Sequence, residues 1–160
     1  MKRVLIPTDF TVESLQLLEY AILNFPRTEL DITLVYGFIL PDTRWGLIHY
    51  SAGSEISKLT SPDYAKAKNA FVREHSDVIL DLRIELFTGC NSFAFQNFLE
   101  QLDIRDAIIP KGKFLNFDHA RCFDPSRFIR KNVENVIEIP LDVTREYPKA
   151  KFSLSSLLNL

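Results

Sequence analysis

The residues best placed to do chemistry lie between Pro110 and Arg127, PKGKFLNFDHARCFDPSR, directly after the apolar run Ala107-Ile108-Ile109. Lys111, Lys113, Arg121 and Arg127 fall inside this stretch, with Arg130 and Lys131 just beyond it. In a nucleotide-binding α/β protein a loop at this place cradles phosphate. Glycines there let backbone N–H groups approach the anion, and a following helix turns its positive end toward it. Here the chain offers cations instead. Two or three of them converging could hold an anion without glycine; the alternative is that all are solvated surface charges. Glycine itself is scarce, five in 160 residues, and Gly112 alone lies in this loop.

Asp124-Pro125 reads as a helix start, with a carboxylate at the cap and proline at the first helical position. A carboxylate there satisfies the free N–H groups itself and puts negative charge where a phosphate would sit. Two like charges ~4 Å apart repel by about 1 kcal/mol in water and about 4 kcal/mol at an effective dielectric of ~20. Phe123 adds a ring where a cradle needs bare backbone. As a standard phosphate cradle the loop is broken. Its aromatics Phe114, Phe117 and Phe123, with Phe128 beyond, either pack into an ordinary core or fold into the cleft and close it.

Other candidates are weaker. Asp9, in Pro7-Thr8-Asp9, could bond a ribose hydroxyl or cap a local turn. His119 and Cys122 form an H-x-x-C, but a zinc site needs three or four converging ligands and no second pair is present, so no metal is expected. Cys90 reads as an inert thiol. No G-x-S-x-G elbow exists, so hydrolysis has no positive support. Arg44-Trp45-Gly46 with His49 and Tyr50 could be a protein-binding patch or a lid packed on its own body.

The elements that must position these residues are legible from periodicity. Arg3 to Pro7 is a strand buried on both faces. Thr11 can cap a helix whose stripe is Leu15, Leu18, Ile22 and Phe25, stopped by Pro26. Asp31 to Phe38 is a second strand. Ile39 to Thr60 reads as mostly loop. A helix from Ser61-Pro62 to about His75 leads to a third strand within Val78 to Thr88. After Gly89, Asn91 or Ser92 caps a helix with Phe95, Phe98, Leu99 and Leu102 inward. Asp106 to Pro110 is a fourth strand, a helix starts at Asp124-Pro125, and Val133 to Pro140 is a fifth strand. This alternation predicts an α/β fold, an open doubly wound parallel sheet with helices on both faces. Ligands bind such sheets at the carboxyl ends of the strands, where the winding reverses.

The composition sets outer bounds. Hydrophobic residues make up 46% and charged residues 25%, with a net charge of −2, which fits one soluble domain and gives no pull toward nucleic acid or membrane. No apolar run reaches the roughly 18 residues of a membrane span, and Pro7 and Asp9 interrupt the N-terminal run too early for a signal-peptide core. Two cysteines argue against a disulfide framework, and the expected location is the cytoplasm. Thirteen phenylalanines predict a bulky core.

From Lys2 to Pro140 the chain resembles the universal stress protein family. RVLIPTDFTVESLQLLEYA is similar to that family's first strand and helix, with Pro-x-Asp at the strand end. GCNSFAFQNFLEQLDIRDAII has its glycine turn, helix and acidic opening of the fourth strand. SRFIRKNVENVIEIP is similar to its last helix and strand. The resemblance implies a five-stranded parallel sheet of order 3-2-1-4-5, with a cleft between Thr8-Asp9 and Pro110-Lys111-Gly112. ATP-binding members carry two glycines three positions apart after strand four, then Gly-Ser or Gly-Thr at the last helix. Pro7 and Asp9 match the nucleoside positions, whereas only Gly112 remains of the first glycine pair and Phe123-Asp124 stands where Gly-Ser would be.

The expectation is a domain over residues 1–140 with an extension over 141–160. It would be a non-catalytic, stress-associated regulatory or interaction protein, without ATP in the usual cradle and without another cofactor. The resemblance further implies a homodimer through the fifth strand, with Val136, Ile137 and Ile139 at the interface. A protein partner is also possible. The alternative is a nucleotide-binding switch, using Pro7, Thr8 and Asp9 at the nucleoside and Lys111, Gly112, Lys113 and Arg127 at the phosphates. A third reading is a small-molecule cleft lined by the extra Phe side chains. The direction of Asp124 separates the first two: turned into its own helix it favours the first, turned away it reopens the second.

Overall fold

The computed structural model describes residues 1–141. The apolar extension residues Phe152, Leu154, Leu157, Leu158 and Leu160 lie outside the described residues. Five parallel strands run in the order β3-β2-β1-β4-β6. They are β1 (Lys2–Pro7), β2 (Leu30–Phe38), β3 (Ile79–Phe87), β4 (Asp106–Pro110) and β6 (Asn135–Ile139). This is the predicted doubly wound α/β sheet. A further strand, β5 (Cys122–Phe123), pairs antiparallel with the end of β2 and was not foreseen.

Alternation along the strands builds two apolar layers. Val4, Ile6, Ile32, Leu34 and Ile108 face α1 (Gln16–Asn24) and α4 (Pro62–Glu74), where Leu17, Leu18, Tyr64 and Phe71 fill the layer. Leu5, Val35, Ala107 and Ile109 face α5 (Ser92–Leu102) and α6 (Ser126–Asn132), against Phe95, Leu99, Phe128 and Ile129. On this side the rings of Phe87, Phe95 and Phe128 lie 4.8 to 5.8 Å apart. Each such fully buried aromatic is worth about 3–5 kcal/mol against alanine.

Short polar side chains start the helices as their types predict. Thr11 accepts from Ser14 N ahead of a 3₁₀ turn at Glu13–Leu15, which leads into α1. Ser61 accepts from Tyr64 N and Asn91 from Ala94 N. The same chemistry corrects the reading of residues 39–60 as mostly loop. Thr43 accepts from Gly46 N and Ser51 from Ser54 N, opening α2 (Arg44–Ile48) and α3 (Ala52–Leu59). These are single caps on short helices whose apolar residues are too few to show a period.

Among the described residues no helix is long and apolar enough to cross a membrane. The strand β6 lies at one edge of the sheet and, among the described residues, pairs only with β4. Of the residues expected at a dimer interface, Ile139 is buried within the chain itself, while Val136 and Ile137 are half-buried.

Candidate functional site

Residues 111–123 form a strap across the carboxyl ends of three strands. It leaves β4 with Lys111 N donating to Ile139 O at 2.7 Å. Phe114 then turns down into the core that also holds Leu141. Asn116 and Phe117 pass over the end of β1, and β5 pairs with Gly37 and Phe38 of β2. Ile39 N donates to Arg121 O at 2.7 Å, extending that pairing.

Asp9 fastens the strap. One carboxylate oxygen, Oδ2, accepts from Asn116 N at 2.8 Å. The other, Oδ1, accepts from Thr11 N at 3.0 Å and from the Thr11 hydroxyl. Charge-assisted bonds of this kind are the strong ones. Both oxygens are therefore taken by the chain, and the carboxylate that could meet a ribose instead holds a loop and caps a turn.

Aromatic rings fill the space beneath. Phe10 takes a left-handed backbone conformation, φ 61°, which costs a residue with a side chain about 1–2 kcal/mol. That turn sends its ring inward, 5.0 Å from Tyr36 and 5.5 Å from Tyr64, and its burial offsets the strain. Phe117 of the strap lies 5.5 Å from Tyr36 on the other side. Thr8, fully buried, meets the hydroxyls of Ser14 and Tyr64, each at 3.3 Å, and accepts from Phe10 N. Burial pushes the Tyr64 phenol up to about 12, with nearby Asp9 acting in the same direction and the Thr8 bond opposing. Burial and the adjacent Cys122 thiol push the Tyr36 phenol well above its ordinary value. Both phenols stay neutral.

The glycine that admits the strap is Gly37. A Cβ at that position would stand 2.3 Å from Phe123 O and 2.6 Å from the Phe123 ring. A strand glycine often marks such a close approach of another backbone. Phe123 then continues into the opposite layer, 6.1 Å from Phe87 and 6.2 Å from Phe128.

Asp124 turns into its own helix start, where Oδ1 accepts from Ser126 N at 2.8 Å. Lys111, Gly112 and Lys113 are exposed where the strap begins. Arg127 is exposed elsewhere, its guanidinium 4.9 Å over the Phe128 ring. With Ile39, Thr88, Gly89, Cys90, Phe123 and Phe128 it lines a hollow of about 270 Å³. Pro7, Thr8 and Asp9 thus sit together under the strap, and Arg127 opens onto a separate hollow. His119 and Cys122 serve the strap's own turn: Arg121 N donates to His119 Nδ1, and the Cys122 thiol to His119 O. Among the described residues no group of three or more His, Cys, Asp or Glu gathers as metal ligands would.

Sequence reasoning missed Asn116, Tyr36, Tyr64, Thr11 and Gly37 as parts of this place. Gly37 carried a usable signal, a lone glycine inside an otherwise β-branched and aromatic run. Asn116 carried none, since its contribution is a backbone N–H.

Comparison with solved structures finds chains of similar path. The universal stress protein UspA from Lactobacillus plantarum is 16% identical, with 86% of this chain and 97% of that one covered and a TM-score of 0.49. A universal stress protein in complex with cAMP is 16% identical, covering 88% and 98%, with a TM-score of 0.48. The hypothetical protein MJ0577 is 15% identical, covering 88% and 98%, with a TM-score of 0.44. No protein-family model matches the chain, and no curated protein matches it in sequence.

Proposed function

We propose that the protein is a non-catalytic regulatory or interaction protein of universal stress protein type, whose nucleotide cleft is closed by its own strap. The observation that carries this reading is the Asp9 carboxylate, with both oxygens engaged by Asn116 and Thr11. A nucleoside seeking Asp9 must first break the Asn116 bond and lift Phe117 from Tyr36. Such a charge-assisted hydrogen bond is worth about 1.5–3 kcal/mol, and exposing a buried aromatic ring to water costs a similar amount. Together these lower an otherwise ordinary affinity by roughly three orders of magnitude. Asp124, spent on Ser126 N, supports the same reading at the phosphate end.

The stress association follows from the family resemblance alone. With the cleft closed, action passes to surfaces. The β6 edge, which among the described residues has no partner beyond β4, supports a homodimer in which two such edges pair about a twofold axis. Val136 and Ile137 would flank that seam, with Ile139 behind it.

Calorimetric titration with ATP, ADP and AMP, with and without magnesium, tests the proposal. The expected result is no measurable heat and no shift in Tm. Micromolar binding abolished by Lys111→Ala or Lys113→Ala would overturn it in favour of a nucleotide switch with a cationic phosphate site.

A further inference from the structure

The hollow of about 270 Å³ at the carboxyl ends of β2 and β3 is not part of the strapped cleft. Ile39 follows β2, Thr88 and Cys90 follow β3, and Phe123, Arg127 and Phe128 complete the wall. The Phe123 and Phe128 rings meet at 75°, with centroids 6.2 Å apart, and form an angular apolar wall. Ile39 is 50% exposed, so its apolar surface lies open to solvent here. Arg127 is the one charged residue of the lining, and its guanidinium rests 4.9 Å over the Phe128 ring. Among the described residues no carboxylate and no hydrogen-bond acceptor engages it. Contact with a ring steadies the cation while its N–H donors stay available for an anion. We infer that this hollow binds a small monocarboxylate with an apolar body, a single aromatic ring or a short acyl chain, whose carboxylate pairs with Arg127.

The chemistry of the wall selects this class. A guanidinium meets a carboxylate through two parallel N–H···O bonds, a match of shape that an ammonium does not offer. One cation balances one negative charge. A phosphate dianion would carry uncompensated charge against Ile39, Phe123 and Phe128, which is costly. Lys111 and Lys113 do not line this hollow and cannot share that charge. Size points the same way. Ordinary ligand pockets hold ~300–1,000 Å³, and a cavity of ~150 Å³ already accepts benzene. The volume here therefore suits one substituted ring rather than a nucleotide. Phe123 belongs to β5, so a guest against its ring also holds the strap down on β2. The inference stands whether or not the cleft over Asp9 is closed.

Titration of the full chain with sodium benzoate at neutral pH, followed by amide chemical shifts in NMR, tests the site. Benzoate is expected to move the Ile39, Cys90 and Arg127 amides and to saturate by low millimolar concentration. Arg127 is exposed, so Arg127→Met is expected to fold normally and to weaken benzoate binding by about tenfold. Arg127→Lys, which keeps the charge without the fork, is expected to fall between the two. Benzyl alcohol, similar in size and uncharged, and inorganic phosphate are expected to leave these amides in place at the same concentrations. An absence of shifts with benzoate, equal affinity for benzyl alcohol, or unchanged affinity in Arg127→Met would each overturn the proposal. Saturable shifts of the same amides with phosphate or magnesium ATP would also overturn it, by assigning the hollow to a phosphate ligand.

Discussion

Replacing Gly37 with alanine should loosen the strap without touching any polar group. The new methyl carbon would meet Phe123 O at 2.3 Å and the Phe123 ring at 2.6 Å. A backbone carbonyl cannot swing aside as a flexible side chain can, so β5 must lift. Gly37 has no positive φ, which makes the effect one of space rather than backbone strain. Overpacking costs about 1–3 kcal/mol, and each backbone hydrogen bond lost with β5 about 1 kcal/mol. Against this stands up to about 1 kcal/mol gained by stiffening the unfolded chain. The net loss is about 2 kcal/mol, or a fall in Tm of roughly 4–8 °C for a chain of this length. Gly53, inside α3, is the matched control: its added carbon meets nothing nearer than Ser51 Oγ at 3.9 Å. Gly53→Ala should stabilise by about 0.5–1 kcal/mol. Thermal melts give both signs, and hydrogen exchange should show faster exchange of strap amides in Gly37→Ala alone. A Gly37→Ala protein as stable as the wild type, with strap protection intact, would refute the packing argument.

Three further predictions come from the same region and the sheet edge. Asp9→Ala removes the acceptor of Asn116 N and Thr11 N and should cost about 3 kcal/mol in urea denaturation, with little change in the slope; a cost below about 1 kcal/mol would mean the latch is not formed. Burial pushes the Tyr64 phenol from its ordinary value of 10.0 up to about 12, so its stabilising contribution is full below about pH 10 and is lost as pH rises toward 12. Melts between pH 9 and 12 should therefore show a shallower alkaline loss in Tyr64→Phe than in the wild type, and parallel curves would contradict this. Ile137→Lys, placing a charge on β6, should convert a dimer to a monomer in light scattering while leaving the circular dichroism spectrum unchanged; a dimer that persists would remove the edge from consideration.

The sheet was legible because each of its strands carries its own signal. Runs such as Val4-Leu5-Ile6 and Ala107-Ile108-Ile109 are apolar on both faces, and only a strand covered on two sides tolerates that. The helices with apolar stripes, α1, α4 and α5, announced themselves by spacing and cap. The two small helices α2 and α3 did not, because five and eight residues are too short for an apolar side such as Ile56 and Leu59 to repeat as a stripe. The site was half legible. The excess of phenylalanine predicted rings packed about the strap, and there Phe114 lies in the core and Phe117 packs 5.5 Å from Tyr36. What holds the strap is a two-residue strand and the Asn116 backbone N–H on Asp9, and beyond Gly37 neither leaves a mark on residue type. Arg127, grouped with the lysines by proximity in sequence, opens onto another hollow because β5 and the turn into α6 intervene.

Whether the strap holds Asp9 decides whether the carboxylate is free to meet a ligand. The most direct measurement is hydrogen exchange at the Asn116 backbone amide, the group that donates to Asp9 Oδ2, with and without saturating magnesium ATP. The account predicts slow exchange, unchanged by nucleotide and abolished in Asp9→Ala. Fast exchange in the free protein, or protection that nucleotide removes, would contradict it.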